Sequence, residues 1–470
     1  QMVVILLGPL VWLALLYFLK HSVQGRRIRA ATQDRDMLDA LGVNPRPLMM
    51  GVVVLGCALA GLGGALQLPR EPATLQMDVN VVVETFVVVV MGGLGSITGA
   101  FLAALLIGLV HSFGTEFFPQ SSLVLVFLTM GVVLALRPYG LMGEKAQSAP
   151  REPAQRFVRG PDSQGGLVLI LLAVVLVCAV AFAASGYWRS IATDALILLV
   201  FGLSLQVMMA LGGLVSFGHA AFFALGAYGT ALAHVHWQAG VWAAMAMGVG
   251  LALVVATVFG AAVVRSSGVY LAMLSLALAQ VVWALASQWV GVTGGDNGLI
   301  GLNLVRPDSR AAFEGAVLVL ALVGLLALRR LAGSPFGMAL QAVRDVPQRA
   351  AASGLAVNRL KYQVFVGSAA WAGLAGGLFA AHKGAVFPSA ASVATSVDAL
   401  LVVLLGGVHQ LWGVLAGSVM LTLASAELGR HFEYWRGLLG LLIMGIMVWS
   451  PTGLLGLWGR LGQFNRQRPA

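Results

Sequence analysis

The sequence predicts an all-α protein, a polytopic transmembrane helical bundle built from two parallel copies of one unit. Three observations carry this. The chain of 470 residues is 59% hydrophobic and only 10% charged, with mean hydropathy +0.91, where a soluble domain carries about 25% charged residues. Apolar runs recur at the ~20 residues a helix needs to cross a bilayer while satisfying its own backbone. A polar, helix-prone island, GRRIRAATQDRDMLDALG at 25–42, returns as GMALQAVRDVPQRAAASG at 337–354. Gly25 aligns with Gly337, Ala30 with Ala342, Gly42 with Gly354 and Leu48 with Leu360. The match continues into the next apolar run, ALAGLGGAL (58–66) on AWAGLAGGL (370–378).

In chain order, a first span covers 2–19, the first island 20–46 and a second span 47–67. A short loop holds Pro69, Arg70, Glu71, Pro72 and Asp78. Residues 80–113 are too short for two full spans and are interrupted by GGLGS at 92–96, which reads as a hairpin of short or broken helices. A span at 122–137 follows. Residues 144–165, EKAQSAPREPAQRFVRGPDSQG, are polar, Pro-bearing and without periodicity, hence a linker. Spans then fall near 167–185, 191–210, 213–233, 239–264, 270–290 and 312–328. The second island occupies 329–361. A span at 362–381, a hairpin at 396–428 and a span at 437–450 complete the set, about 15 crossings with short and broken helices included. The expected organisation is a first unit at 1–143, a cytoplasmic linker at 144–165, a second unit at 166–458 and a cytoplasmic tail at 459–470.

The hairpins repeat as well. ETFVVVVMGGLGSITGA (84–100) aligns with DALLVVLLGGVHQLWGV (398–414), and RPYGLMG (137–143) with SPTGLLG (450–456). Placing both islands in the cytoplasm puts 21 of the 28 Lys and Arg residues on that side, as the positive-inside rule requires. The net charge of +10 is dispersed over short loops, so it marks topology and not a nucleic-acid partner. Cys57 and Cys178 both lie in apolar runs, where neither a disulfide nor a thiolate metal site is expected. The chain has no Gly-Lys pair, no H-E-x-x-H and no C-x-x-C. A phosphate-cradling loop is therefore absent, and no cofactor or metal is expected.

In these residues the chain resembles the branched-chain amino acid branch of bacterial ABC-importer permeases, as a fusion of two of its permease subunits. The islands resemble the coupling-loop motif of that family, an Ala-rich stretch followed by Gly. GGLVSFGHAAFFALGAY (212–228) resembles its Gly-Ser-Gly-His block, and TGGDNGLIG (293–301) its external Gly-rich block. Three departures stand out. The second hairpin reads GGVHQLWG where the family has a small Gly-x-Gly turn. Pro347 interrupts the second island. The acidic residue usual in the coupling core is Arg349 in one copy and Met37–Leu38 in the other.

The resemblance implies a multi-pass protein of the bacterial inner membrane that moves branched-chain amino acids, or a related small polar solute such as urea or amides. Its partners are cytoplasmic ATP-binding subunits, a periplasmic substrate-binding protein and membrane lipid. The chain itself is not expected to be an enzyme. The residues implied in ATPase coupling are Arg29, Ala30, Ala31, Asp34 and Gly42 in one island, and Ala342, Arg344, Asp345, Arg349 and Gly354 in the other. Gly294, Gly295, Asp296 and Asn297 are implied in binding-protein contact, against a plain flexible loop.

Along the translocation path or hairpins stand Ser216, Gly218, His219, Gly226, Glu84, Asp398, Gly92, Gly93, Gly406 and Gly407. His219 reads either as a polar group near the path or as a residue hydrogen-bonded to a neighbouring backbone within small-residue helix packing. Glu84 and Asp398 read either as functional intramembrane charges or as caps at helix N-termini. No charged pair stands out to clamp an α-carboxylate and an α-amine. The rival reading is an ion-coupled secondary transporter using Glu84, Asp398 and His219. Six spans precede the second island and one precedes the first, which starts at Gln1. A truncated first unit is therefore expected, with about 110–160 residues upstream that include a second Gly-Ser-Gly-His-like block.

Overall fold

The structure is a computed structural model that describes residues 2–69, 72–74, 77–93, 95–117, 122–137, 139–143, 157, 174–175, 186–264, 268–306, 309–449 and 453. The linker at 144–165, Phe157 apart, the tail at 459–470 and most of the expected span at 167–185 lie outside the described residues. The described chain forms two compact units, residues 1–109 with 139–146, and 110–138 with 147–470.

The first unit holds α1 (Met2–His21), α2 (Val23–Gln33), α3 (Arg35–Ala40), α4 (Pro45–Gln67), α5 (Met77–Gly92) and most of α6 (Ile97–Phe117). The second holds α7 (Ser122–Leu136), α8 (Gly186–Gln206), α9 (Ala220–Trp237), α10 (Val241–Val263), α11 (Val269–Gln288) and α12 (Arg310–Gly333). It continues with α13 (Pro335–Asp345), α14 (Pro347–Ala352), α15 (Val357–Lys383), α16 (Val393–Gly406), α17 (Gly413–His431) and α18 (Trp435–Trp449). Within that unit α7 packs on α11. Among the described residues seven helices are long and apolar enough to cross a membrane, and α1 with α2 makes an eighth candidate, bent by 77°. β1 (Leu299–Ile300) and β2 (Ala385–Val386) pair antiparallel, Leu299 opposite Val386.

The core of the second unit lies where α9, α10 and α15 cross through small residues. A Cβ on Gly226 would meet the backbone of Gly373, and one on Gly376 would meet the Phe223 carbonyl. Backbones approach this closely only where side chains are missing.

Both hairpins turn on matched glycines. A Cβ on Gly92 would strike Gly99 and Ala100, and one on Gly406 would strike Gly413 and Val414. Gly93 and Gly407 then take φ +99° and +102°, a region open to Gly at no steric cost. α5 and α16 are short of the length of a full span, as the interrupted apolar runs imply.

One expected span starts late. The helix expected from 213 begins at Ala220. α8 ends instead in a π turn over Val207–Leu211, and Gly213 takes φ +65°. Gly218 then passes so close over the Ser275 carbonyl that no Cβ fits. The Gly-rich block is thus a break between two helices, not the first turns of one.

Candidate functional site

The two islands fold alike, bond for bond. Ser22 Oγ accepts the Gly25 N–H at 2.9 Å and caps α2, and Ser334 Oγ accepts the Gly337 N–H at 3.1 Å and caps α13. Each helix breaks at the same place, Asp34 with φ −147° and Val346 with φ −144°. Each closes on the same pair of backbone bonds. Gly42 and Val43 donate to Asp39 and Leu38, and Gly354 and Leu355 donate to Ala351 and Ala350. A positive-φ Gly ends each island, +80° at Gly42 and +84° at Gly354, as such helix ends favour.

The restart after the break differs. Asp34 Oδ1 accepts the Met37 N–H at 2.9 Å, whereas Val346 has no capping side chain and Pro347 occupies the first helical position. Each island is thus two short helices, and Pro347 begins the second helix after a break that the first island makes without a proline.

Of the residues singled out in the islands, Arg29, Asp34, Gly42, Ala342, Arg349 and Gly354 are exposed and Ala31 is buried. Arg344 turns inward. Its Nε lies 2.8 Å from Asp345 Oδ1, and its Nη1 donates to the Ala210 carbonyl in the π turn. Gln206, just before that turn, donates to the carbonyls of Gln410 (2.8 Å) and Val408 (3.2 Å) at the tip of the second hairpin. The segment 206–213 is therefore a junction, touched by α13, by the hairpin tip and by the Gly-rich block. Sequence reading missed this junction, because the long-range partners of Gln206 and Arg344 carry no local signal.

His219 is fully buried. Its Nε2 lies 2.8 Å from Ser204 Oγ and 3.4 Å from Ser368 Oγ, and its ring stacks on Phe201 with centroids 5.6 Å apart. The partners are hydroxyls rather than the backbone. Ser216 Oγ and His219 Nδ1 are buried without a hydrogen-bond partner among the described residues. Gly218 and Gly226 are the close-approach points already described.

Glu84 and Asp398 do not cap helices. Glu84 lies in the middle of α5, and Asp398 lies beyond the first turn of α16, which Ser392 caps instead through the Thr395 N–H. The reason is that both helices begin several residues before the acids, so no free N–H faces them.

The external segment 293–301 is held in place. Gly294 and Gly295 take positive φ, a 3₁₀ turn covers Gly295–Asn297, and Thr293 Oγ1 donates to the Ala286 carbonyl at 2.7 Å. β1 then pairs with β2, and the Leu302 N–H donates to the Gly384 carbonyl at 2.9 Å. These bonds tie the loop to the segment that follows α15. Asp296 and Asn297 stand exposed at its tip.

The segment bonded to that loop lines a cavity of ≈ 640 Å³ in the second unit. The Phe201, Phe223 and Phe379 rings form one wall, with centroids 4.7 Å and 5.4 Å apart in succession. Asp194, Lys383 and Asp398 also line it, and Lys383 Nζ donates to Asp194 Oδ2 at 2.8 Å. A charged pair is therefore present where the sequence showed none. Behind it, buried Glu314 binds Arg189 (2.7 Å) and Arg310 (3.4 Å) and braces α8 against α12.

Comparison with known proteins gives a consistent set. The family model described as branched-chain amino acid transport system / permease component matches residues 1–136 and 187–448. The chain is 33% identical over 364 residues, 70% of its length and 84% of the relative's, to the high-affinity branched-chain amino acid transport system permease protein LivM of Escherichia coli (strain K12). It is 32% identical over 146 residues to the corresponding permease protein BraD of Pseudomonas aeruginosa, covering 30% of the chain and 47% of BraD. It is 29% identical over 146 residues to LivH of Escherichia coli (strain K12), covering 30% of the chain and 47% of LivH. No solved structure matches.

Proposed function

We infer the function from one premise: the chain belongs to the family of branched-chain amino acid transport system permease components. It is the multi-pass, inner-membrane permease of an ABC importer, made of two permease units joined at 144–165. Its solutes are branched-chain amino acids. ATP hydrolysis belongs to separate cytoplasmic subunits, and a periplasmic binding protein delivers the solute.

The observation that carries this reading is the duplicated island, closed by the same caps and the same backbone bonds in both copies. A loop that only met the positive-inside bias would have no reason to keep one bonding pattern twice. The exposed side of each island, with Ala342, Arg349 and Gly354 in the second, faces an ATP-binding subunit. The inward side, through Arg344, holds the π turn at Ala210. A push on α13 therefore reaches the segment 206–213, then the second hairpin through Gln206 and the His219 cluster through Ser204. Packed contacts of this kind carry coupling when the elements have two arrangements. At the outer side, Asp296 and Asn297 meet the binding protein, and β1–β2 links that loop to the cavity.

The test is ATP-driven uptake by the permease reconstituted with its ATPase and binding protein. Ala342→Arg should leave membrane insertion intact while removing ATPase co-purification and uptake together. Unchanged uptake and co-purification would overturn the docking role.

A further inference from the structure

We propose that the aromatic-walled cavity of the second unit is a substrate site for zwitterionic amino acids with apolar side chains, with Lys383 receiving the carboxylate, Asp194 and Asp398 the ammonium, and the Phe201–Phe223–Phe379 wall the side chain. The proposal rests on the importer reading above and names the chemistry of the site within it.

The cavity has the size of a small-molecule pocket, ≈ 640 Å³ against a usual range of about 300–1,000 Å³. Its two ends are chemically unlike. The aromatic wall offers rings in a continuous run, Phe201 to Phe223 to Phe379. The ionic groups lie farther along the same helix faces, Asp194 two turns before Phe201 on α8 and Lys383 one turn after Phe379 on α15, with Asp194 and Lys383 in contact and Asp398 on the same lining. A solute that is apolar at one end and carries both signs of charge at the other matches this division.

The charges also solve the energetic problem such a solute presents. Moving a zwitterion out of water strands both charges unless each finds a partner. The Asp194–Lys383 pair holds one partner of each sign. Opening that one pair and inserting the solute's carboxylate and ammonium creates two pairs, so neither charge of the solute is left alone. Urea or a simple amide carries no net charge on either end. It cannot replace the Asp194–Lys383 contact, and the aromatic wall gives it little, so the cavity disfavours it.

Placement supports the same role. Lys383 ends α15, and the next residues form β2, which pairs with β1 of the external loop. Asp194 sits on α8, the helix that runs directly into the junction at 206–213. The pair is thus mounted between the outer loop and the segment held by the cytoplasmic island. His219 stacks on the far side of Phe201 and does not line the cavity, so it supports the wall without touching solute.

The experiment is equilibrium binding to the detergent-solubilised permease–ATPase complex without binding protein, followed by uptake in the complete reconstituted importer. The probes are leucine, leucinamide, which lacks the carboxylate, 4-methylpentanoate, which lacks the ammonium, and urea. Leucine should bind the wild-type complex at least about ten-fold more tightly than each of the others, since removing either charge leaves a protein group unpaired. Lys383→Gln should erase the discrimination against leucinamide, and Asp194→Asn should weaken that against 4-methylpentanoate, which Asp398 still supports in part. Lys383→Arg should keep leucine binding. The analogue series on the wild-type complex reads the same contacts should a variant fail to assemble.

Equal binding of leucine and leucinamide, or no leucine binding, overturns the site. So does full discrimination in Lys383→Gln and Asp194→Asn. If ATP-driven leucine uptake persists in that case, the importer reading stands and only the site falls. If the wild-type importer shows no ATP-driven uptake of any amino acid, the importer reading itself falls.

Discussion

α4 and α15 carry the same small-residue pattern, ALAGLGGAL and AWAGLAGGL, yet the two helices have different surroundings. On α15, a Cβ at Gly373 would meet Ala252 at 2.7 Å, and one at Gly376 would meet the Phe223 carbonyl. On α4, the aligned Gly61 and Gly64 have nothing within 4 Å among the described residues, and the span Pro45–Gln67 has none of its window buried among them. The islands that precede these helices show the opposite behaviour, with the same caps and closing bonds in both copies. Local bonding is written into a dozen consecutive residues and reproduces wherever they occur. Packing needs partner elements, and a pattern of small residues only states what partners could come close.

The largest expected effect tests this contrast directly. Gly376→Val should abolish the folded second unit, because the branched side chain meets backbone that cannot move aside; overpacking a core commonly costs about 1–3 kcal/mol and more where backbone is struck. Gly64→Val should leave expression and thermal unfolding in detergent near wild type. Equal damage from both would show that the α4 face meets a partner helix in the assembled importer, which would erase the contrast.

The next effect separates the two islands. Arg344 aligns with Thr32, and only Arg344 can reach a π turn as it does at Ala210. Arg344→Ala should cut ATP-driven uptake by about ten-fold, on the scale of coupling energies of 1–3 kcal/mol, with ATPase co-purification retained. Thr32→Ala, whose Oγ1 only donates to the Arg29 carbonyl, should change uptake little. Similar losses in both would mean that the islands couple by one common contact and not through Arg344.

Much of this was legible in the sequence. The composition, the repeated islands, the interrupted hairpins and the break at Pro347 are local, and each has a local physical cause. The cavity was not legible. Asp194 and Lys383 lie 189 residues apart, and neither belongs to a repeated motif. The signal that existed was Asp194 itself, a lone acid inside an apolar run, which demands a partner of opposite sign. The reading of Glu84 and Asp398 as caps failed for a related reason. The apolar runs around the acids do not mark the helix starts, and the helices begin earlier, at Met77 and Val393.

A smaller effect sharpens the likeness of the islands. Ser22 and Ser334 make the same cap with nearly the same length, 2.9 Å and 3.1 Å. Ser22→Ala and Ser334→Ala should each lower stability by about 1 kcal/mol, read as paired shifts in thermal unfolding of the detergent-solubilised protein. A loss at one site only would mean that surrounding contacts, and not the cap, hold the other helix start.

The smallest effect distinguishes two devices for one task, restarting the helix after the break. In the first island Asp34 Oδ1 accepts the Met37 N–H, a bond present in the folded state and absent in the unfolded chain. In the second, Val346 offers no acceptor, and Pro347 at the first helical position fixes its own φ before folding begins. Asp34→Ala therefore removes a folded-state bond and should cost about 1 kcal/mol. Pro347→Ala removes a restriction on the unfolded chain and should cost about 0.4–1 kcal/mol, without the loss of any folded-state hydrogen bond. Amide exchange separates the two mechanisms. Asp34→Ala should expose the Met37 N–H specifically, while Pro347→Ala should lower protection across the second island evenly. If Pro347→Ala instead exposed one N–H and left the rest protected, the proline would be holding a particular bond, and the two islands would be restarting their helices by the same means.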